Sequence, residues 1–231
     1  MCNLYASTMP QETMRSLFKV GAGNDALGNF EPRKAIFPKY NGPVVRLNDK
    51  GERELLDMHW GLVMPQKSKK TGKAIQPKAI NNARDDKLRS SGFWRGSFED
   101  RRCLIPATSF CEAKGRSPAT YFWFTVVDED GAPEPYAFAG IWRHFKGYYK
   151  DDPVEIDTYS MVTSTPNDLV KDVHPDRMPV ILSRDDYDTW LTGVPDDAFE
   201  LLKPFPAERM SVIGQGDELK SEPEDSVYSP R

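Results

Sequence analysis

Seven short apolar runs constrain the fold of this chain more than any other feature. They are PVVRL (43–47), LLDMHWGLVM (55–64), RCLIPATSF (102–110), YFWFTVV (121–127), YAFAGIW (136–142), YSMVTS (159–164) and MPVIL (178–182). Each is rich in β-branched and aromatic residues and bounded by Pro, Gly or Asp, a pattern that specifies strands. DEDG (128–131) predicts a hairpin turn, and MSVIG (210–214) a last strand. Helical signals are few. Residues 11–20 put Met14, Leu17 and Phe18 on one face. Ser183 to Asp186 predicts a capping box for a helix through Tyr187, Trp190 and Leu191 that Gly193 closes. Asp196 predicts a cap for another helix through Phe199, Leu201 and Leu202, ended by Pro204 and Pro206. Strands that do not alternate with helices, without repeats or a linker, imply a single α+β domain. Its expected architecture is a strongly curved, barrel-like, mostly antiparallel sheet with a few flanking short helices. The domain is expected over 1–215, followed by an acidic, disordered tail over 216–231 with five acids and two bases.

At 39% hydrophobic residues, the 231-residue chain can bury one substantial core. No apolar run approaches the ~18 residues of a membrane span, and the first residues lack the regions of a signal peptide. Cys2, Cys103 and Cys111 form neither a CxxC pair nor an even framework, so a reducing cytoplasm is expected. With only His59, His144 and His174 besides, a structural metal site is not expected. The net charge of −4 argues against a nucleic-acid binder, but its distribution is uneven. Residues 65–102 hold eleven Lys/Arg against four Asp/Glu, a balance of +7. Such a stretch is either an electrostatic footprint for phosphates or a solvated loop.

P-loop, GxGxxG, HExxH and GxSxG motifs are all absent from the sequence. Four polar stretches remain. The chain opens MCNLY, and cysteine is small enough for an aminopeptidase to remove Met1. Cys2 would then carry an amine titrating near ~8 beside a thiol near ~8.5. Position alone leaves that thiol either reactive or incidental. The stretch AINNAR (79–84) offers two amides and Arg84, although amides there also suit a turn. SFCEA (109–113) puts Glu112 at the end of a buried run, where a carboxyl either acts as an acid with raised pKa or faces solvent. VHPDRMP (173–179) sets His174 in a proline-flanked loop entering a strand, as a proton-transfer group or a structural one.

In this order and spacing the four stretches resemble the SOS-response-associated peptidase (SRAP) family, over nearly the whole chain from Cys2 to about Ile213. Family members look like MC at the start, then N-A-R, a W-x-E-type strand and an H-x-R-M-P-type loop. Trp60-Gly61 and the run from Pro179 to Leu182 also resemble family segments. Several positions depart from the pattern. Asn3 and Leu4 stand where the family commonly has Gly and a DNA-contacting Arg, and Glu112 lies in SFCEA without a flanking Trp. The histidine loop has one extra residue, and residues 34–38 replace a Y-N-x-x-P segment. The chain looks like a divergent branch with its DNA grip altered.

The resemblance implies attack on abasic sites in single-stranded DNA. An open abasic deoxyribose is an aldehyde; the amine of Cys2 condenses with it, and the thiol closes a five-membered thiazolidine. The same resemblance gives Glu112 general acid/base work and His174 proton transfer at the sugar oxygen. It puts Asn82 near the Cys2 amine and the sugar. Arg84, Lys87 and Arg177 would contact DNA, with Trp60 or Trp94 stacking on a base. It further implies removal of the protein's own Met1, a weak lyase side reaction, no cofactor or metal, and a cytoplasmic monomer that joins the nucleoid on DNA. Two other classes stay open. Class II glutamine amidotransferases also expose Cys2, though they look like MCGI where this chain has Asn3. A non-catalytic binding module would leave Cys2 incidental.

Overall fold

The computed structural model describes residues 2–150 and 152–224. The first part contains β1 (Tyr5–Ser7), α1 (Gln11–Leu17), β2 (Arg33–Ile36), β3 (Asn41–Leu47), β4 (Arg53–Trp60), β5 (Leu62–Lys67), β6 (Ala74–Ile80) and β7 (Asn82–Arg84). Next come α2 (Asp85–Leu88), α3 (Arg95–Asp100), β8 (Arg102–Ala107), β9 (Ser109–Gly115), β10 (Ala119–Val127) and β11 (Pro133–Glu134). The remainder holds β12 (Tyr136–Tyr149), β13 (Asp152–Ser164), α4 (Asp168–Lys171), β14 (Met178–Pro179) and β15 (Ile181–Leu182). It ends with α5 (Tyr187–Thr192), α6 (Pro195–Glu200) and β16 (Met210–Gly216).

Five strands close a ring in the order β13, β4, β3, β8, β12 and back to β13. All pairings in it are antiparallel except β4 with β13, where Thr158 meets His59 and Tyr159 meets Trp60. This is the expected barrel-like α+β domain. A second sheet runs β11, β10, β9, β1, β2, with β16 also on β10. No helix among the described residues is long and apolar enough to cross a membrane.

Both faces of the ring are buried, which is why the runs read as continuously apolar. Successive residues of a strand point to opposite sides. Val44, Met58, Trp60, Ile105, Phe138, Tyr159 and Met161 join one cluster. Their neighbours Val45, Leu55, Leu104, Ala139 and Val162 join another, with Met14, Phe18, Phe98 and Trp190 of the helices. The helices therefore cover the outside, and the first cluster fills the interior. Burying each such side chain contributes roughly 1.5–3 kcal/mol. Arg102 crosses between layers, its buried guanidinium donating to carbonyls of Phe98, Glu99, Trp190 and Gly193 at the ends of α3 and α5.

Several runs divide for identifiable reasons. Residues 55–64 break at Gly61, whose φ of 138° suits glycine; a Cβ there would lie 2.7 Å from that of Ala79. Residues 102–110 change sheet at Thr108, whose N–H donates to the Ala6 carbonyl. Residues 178–182 wedge where β12 and β13 diverge, so that Pro179 pairs with Thr163 and Ile181 with Phe138. Val180 bridges both strands through its N–H and carbonyl.

Two capping expectations fail. Ser183 makes no side-chain cap; a 3₁₀ turn over Arg184–Asp186 leads into α5 instead. Val194 caps α6 with Pro195 at its first position, and Asp196 in the first turn pairs with Arg89 at 2.7 Å. The tail divides as well. Residues 217–224 fold back onto the domain with Glu222 buried, while 225–231 lie outside the described residues.

Candidate active site

The chain enters β1 from its first residues, and β1 is clasped between β2 and β9. That pairing draws Cys2 inside, where it is fully buried. Its Sγ donates to the Leu4 carbonyl at 3.5 Å, an oxygen that also accepts from the N–H of Cys111 at 2.9 Å. The Cys2 carbonyl accepts from Nδ2 of Asn82 at 2.7 Å and from Nδ2 of Asn81 at 3.2 Å. Asn81 also donates to Asn3 Oδ1 at 3.0 Å. Both amides are held by the barrel. Asn82 begins β7, which lies parallel to β13 with Asn82 opposite Met161. The Asn81 carbonyl accepts from Met161 N and from Trp60 Nε1, each at 2.9 Å.

Glu112 stands on β9 opposite Phe122 and is 4% exposed. Burial pushes its carboxyl up to about 7. The Cys2 thiol is pushed well above the usual thiol range by burial and, next, by the charge of Glu112. Burial likewise raises Cys111 to about 12. Both thiols are therefore neutral at pH 7, while Glu112 is poised between its two forms.

His174 follows α4, which Asn167 caps by accepting from the Val170 N–H at 2.9 Å. The imidazole Nδ1 accepts from the Arg177 N–H at 3.3 Å, so the neutral ring carries its proton on Nε2. Partial burial lowers its pKa. The Arg177 guanidinium donates to the Thr163 carbonyl at 2.6 Å and to Asp85 at 2.5 Å. It thereby pins the histidine loop to β13 and α2.

The four stretches meet at one cleft of about 1110 Å³, lined by Asn3, Leu4, Arg84, Glu112 and His174 among others. Residues up to 171 positions apart in sequence (3 to 174) thus share one mouth, with Cys2 buried directly behind Asn3. Other placements differ from expectation. Trp60 is wholly buried, edge-on to Tyr5 and stacked on Tyr159, and Trp94 is 8% exposed against Phe93. Neither can stack on a base. Asn82 holds the Cys2 carbonyl; no expected bond to the amine appears among the described residues, where its buried Oδ1 has no donor. Arg177 lines the cleft but is tied to Asp85, and Arg84 is bidentate on Asp86 at 2.9 and 3.0 Å. Lys87 is exposed near Asp86 at 3.8 Å. Phe37, Tyr121, Arg116 and Lys220 also line the cleft, and sequence reasoning singled out none of them. Asn81 was legible only as the neighbour of Asn82.

The family model for SOS response associated peptidase (SRAP) matches residues 1–218. The chain belongs to the SRAP family. Abasic site processing protein YoaM of Bacillus subtilis (strain 168) is 32% identical over 190 residues, covering 79% of this SRAP chain and 77% of YoaM. Abasic site processing protein HMCES of Gallus gallus is 27% identical over 204 residues, covering 77% of this chain and 60% of its own. A crystal structure of a Bordetella bronchiseptica protein matches with a TM-score of 0.70 at 29% identity, over 91% of this chain and 98% of that one. Among the described residues of this SRAP domain, no three His, Cys, Asp or Glu side chains gather to hold a metal ion.

Proposed function

We propose that the chain processes abasic sites in single-stranded DNA by bonding covalently to the opened deoxyribose through Cys2, once Met1 has been removed. Met1 lies outside the described residues. One arrangement supports this above all. Two amides grip the Cys2 carbonyl, while a buried carboxyl near neutrality is close enough for its charge to raise the Cys2 thiol. The printed names of the YoaM and HMCES relatives point the same way.

The chemistry follows from those groups. The free amine adds to the aldehyde to give a carbinolamine, and Glu112, protonated, donates to its hydroxyl as water leaves and the protonated imine (iminium) forms. Glu112, now a carboxylate, takes the thiol proton as sulfur adds to the iminium carbon, so that the ring nitrogen keeps its own hydrogen and Glu112 ends protonated again. One water is released overall. A carboxyl titrating near 7 suits both halves of this cycle. His174 Nε2–H donates to the sugar oxygen as the ring opens and supports slow reversal. The amides of Asn81 and Asn82 hold Cys2 in a fixed orientation, which makes ring closure intramolecular, an advantage of up to ~7–11 kcal/mol. Phe37 and Tyr121 offer the stacking surface for a neighbouring base. The imine also permits β-elimination, a weak lyase activity, and the peptidase activity is confined to the chain's own Met1.

The test is a denaturation-resistant adduct with an abasic oligonucleotide, read by gel and mass spectrometry without borohydride. Wild type should form it, because a thiazolidine needs no reduction to survive. Cys2→Ser should lose most of it. A variant retaining Met1 should lose it too, since an amide nitrogen cannot condense with an aldehyde. Undiminished crosslinking with Met1 attached would overturn the proposal.

A further inference from the structure

Residues 219–224 lie beyond the family match, yet one of them, Lys220, lines the cleft. After β16 the chain turns back as a strap held at several points. Thr120 Oγ1 donates to Asp217 at 2.9 Å, Trp123 Nε1 to the Leu219 carbonyl at 2.9 Å, and the Glu222 N–H to the Lys34 carbonyl at 2.8 Å. Leu219 packs against the small cluster of Leu4, Ala6, Cys111 and Trp123 beside the cleft. The anchor is the Glu222 carboxylate, 1% exposed. It accepts from the hydroxyls of Thr8 at 2.7 Å, Thr108 at 2.9 Å and Ser109 at 2.5 Å. A buried carboxylate held by three hydroxyls from two stretches of the chain, just after β1 and at the start of β9, fixes the strap in one register.

This register sets Lys220 in the cleft wall, its ammonium 5.6 Å from the Tyr121 ring centroid. Arg116, on the turn between β9 and β10, lines the same wall. Both are exposed, and among the described residues neither makes an ion pair, whereas Arg84 and Arg177 are held by Asp86 and Asp85. A cation already neutralised by a carboxylate displaces few counterions from a phosphate; an unpaired one displaces its full share. Leu4 meanwhile fills the cluster beneath the cleft and offers no charge.

We infer that Lys220, delivered by the C-terminal strap, and Arg116 carry this chain's grip on the sugar-phosphate backbone beside the reacting sugar. The inference rests on the single-stranded DNA reading above, and it makes both residues positioning groups for that reaction.

The test is fluorescence anisotropy with an intact, labelled single-stranded oligonucleotide, over salt from about 50 to about 200 mM. Lys220→Ala is a surface change and leaves the fold in place. It should weaken binding by roughly 3–10-fold at the lowest salt and reduce the slope of log K against log salt by about 0.7. Arg116→Ala should do the same, the pair should sum to about 1.4, and Lys220→Arg should retain the slope. Glu222→Ala, which frees the strap, should reproduce the Lys220→Ala slope with the lysine still present. Arg84→Ala should change the slope less, because it removes one half of a neutral pair. A wild-type slope for Lys220→Ala, beside a reduced one for Arg84→Ala, overturns the strap and leaves the DNA reading standing. Absence of salt-dependent binding in the wild type overturns both.

Discussion

Replacing Glu112 by glutamine should stabilise the protein at high pH while slowing its chemistry. Burial holds the Glu112 carboxyl at about 7, against an ordinary value of 4.5. The folded state therefore binds this proton more tightly than the unfolded state does, and stability falls as pH rises between the two values. Below 4.5 both states are protonated and the group contributes nothing. Above about 7 the penalty is complete: 2.5 decades at ~1.36 kcal/mol each, or about 3 kcal/mol. Glutamine carries no such penalty. The neighbouring thiols of Cys2 and Cys111 are raised too far to titrate inside this window. Paired urea and thermal melts of wild type and Glu112→Gln provide the assay. The advantage of the variant should be under ~1 kcal/mol near pH 5 and approach ~3 kcal/mol near pH 8. For a chain of this size that is roughly 6–12 °C in Tm. Crosslinking should fall by about 10²–10⁴-fold at the same time. A stability difference that stays flat with pH, or a wild type more stable than the variant near pH 8, would refute a buried carboxyl poised at neutrality.

Trp60→Ala should cost about 3–5 kcal/mol in stability, since the indole is fully buried against Tyr5 and Tyr159. Trp60→Phe should keep most of that stability yet slow adduct formation, because it loses the bond to the Asn81 carbonyl. An alanine variant with wild-type Tm and a defect only in DNA affinity would put the indole back on the surface. Gly42→Ala should destabilise by about 1–3 kcal/mol or more, because its Cβ would come within 2.2 Å of Tyr5 Oη and 2.5 Å of Tyr159 Oη. Adding Tyr5→Phe should recover part of this loss in a double-mutant cycle; strict additivity would show that the close approach is absent.

Much of the barrel was legible in the seven apolar runs, because a strand buried on both faces has to be apolar throughout. Their subdivision was not. Residues 178–182 split between two strands only because β12 and β13 diverge at that point. The failed caps at Ser183 and Asp196 show how weak a local polar signal is when Pro195 or a 3₁₀ turn can start the helix instead. The candidate residues Cys2, Asn82, Glu112 and His174 could be proposed from their residue types and order, and their gathering around one cleft could not. Asp85 and Asp86 directly follow Arg84, so its neutralisation could have been read locally, but the capture of Arg177 across 92 residues could not. Trp60 and Trp94 gave no sign of their burial, since an indole serves equally as core or as stacking surface.

By itself the sequence determined the strand-rich class and which groups are candidates for the chemistry, because both follow from side-chain type and short-range spacing. The tertiary structure alone decided what each group faces. The Glu112 carboxyl is raised to about 7 because its place on β9 is buried away from water. Glu222, in a stretch that reads as solvated tail, is buried because Thr8, Thr108 and Ser109 supply three hydroxyls at one point. Burial and charge neutralisation depend on the groups across a gap in space, and no local pattern along the chain specifies which groups those are.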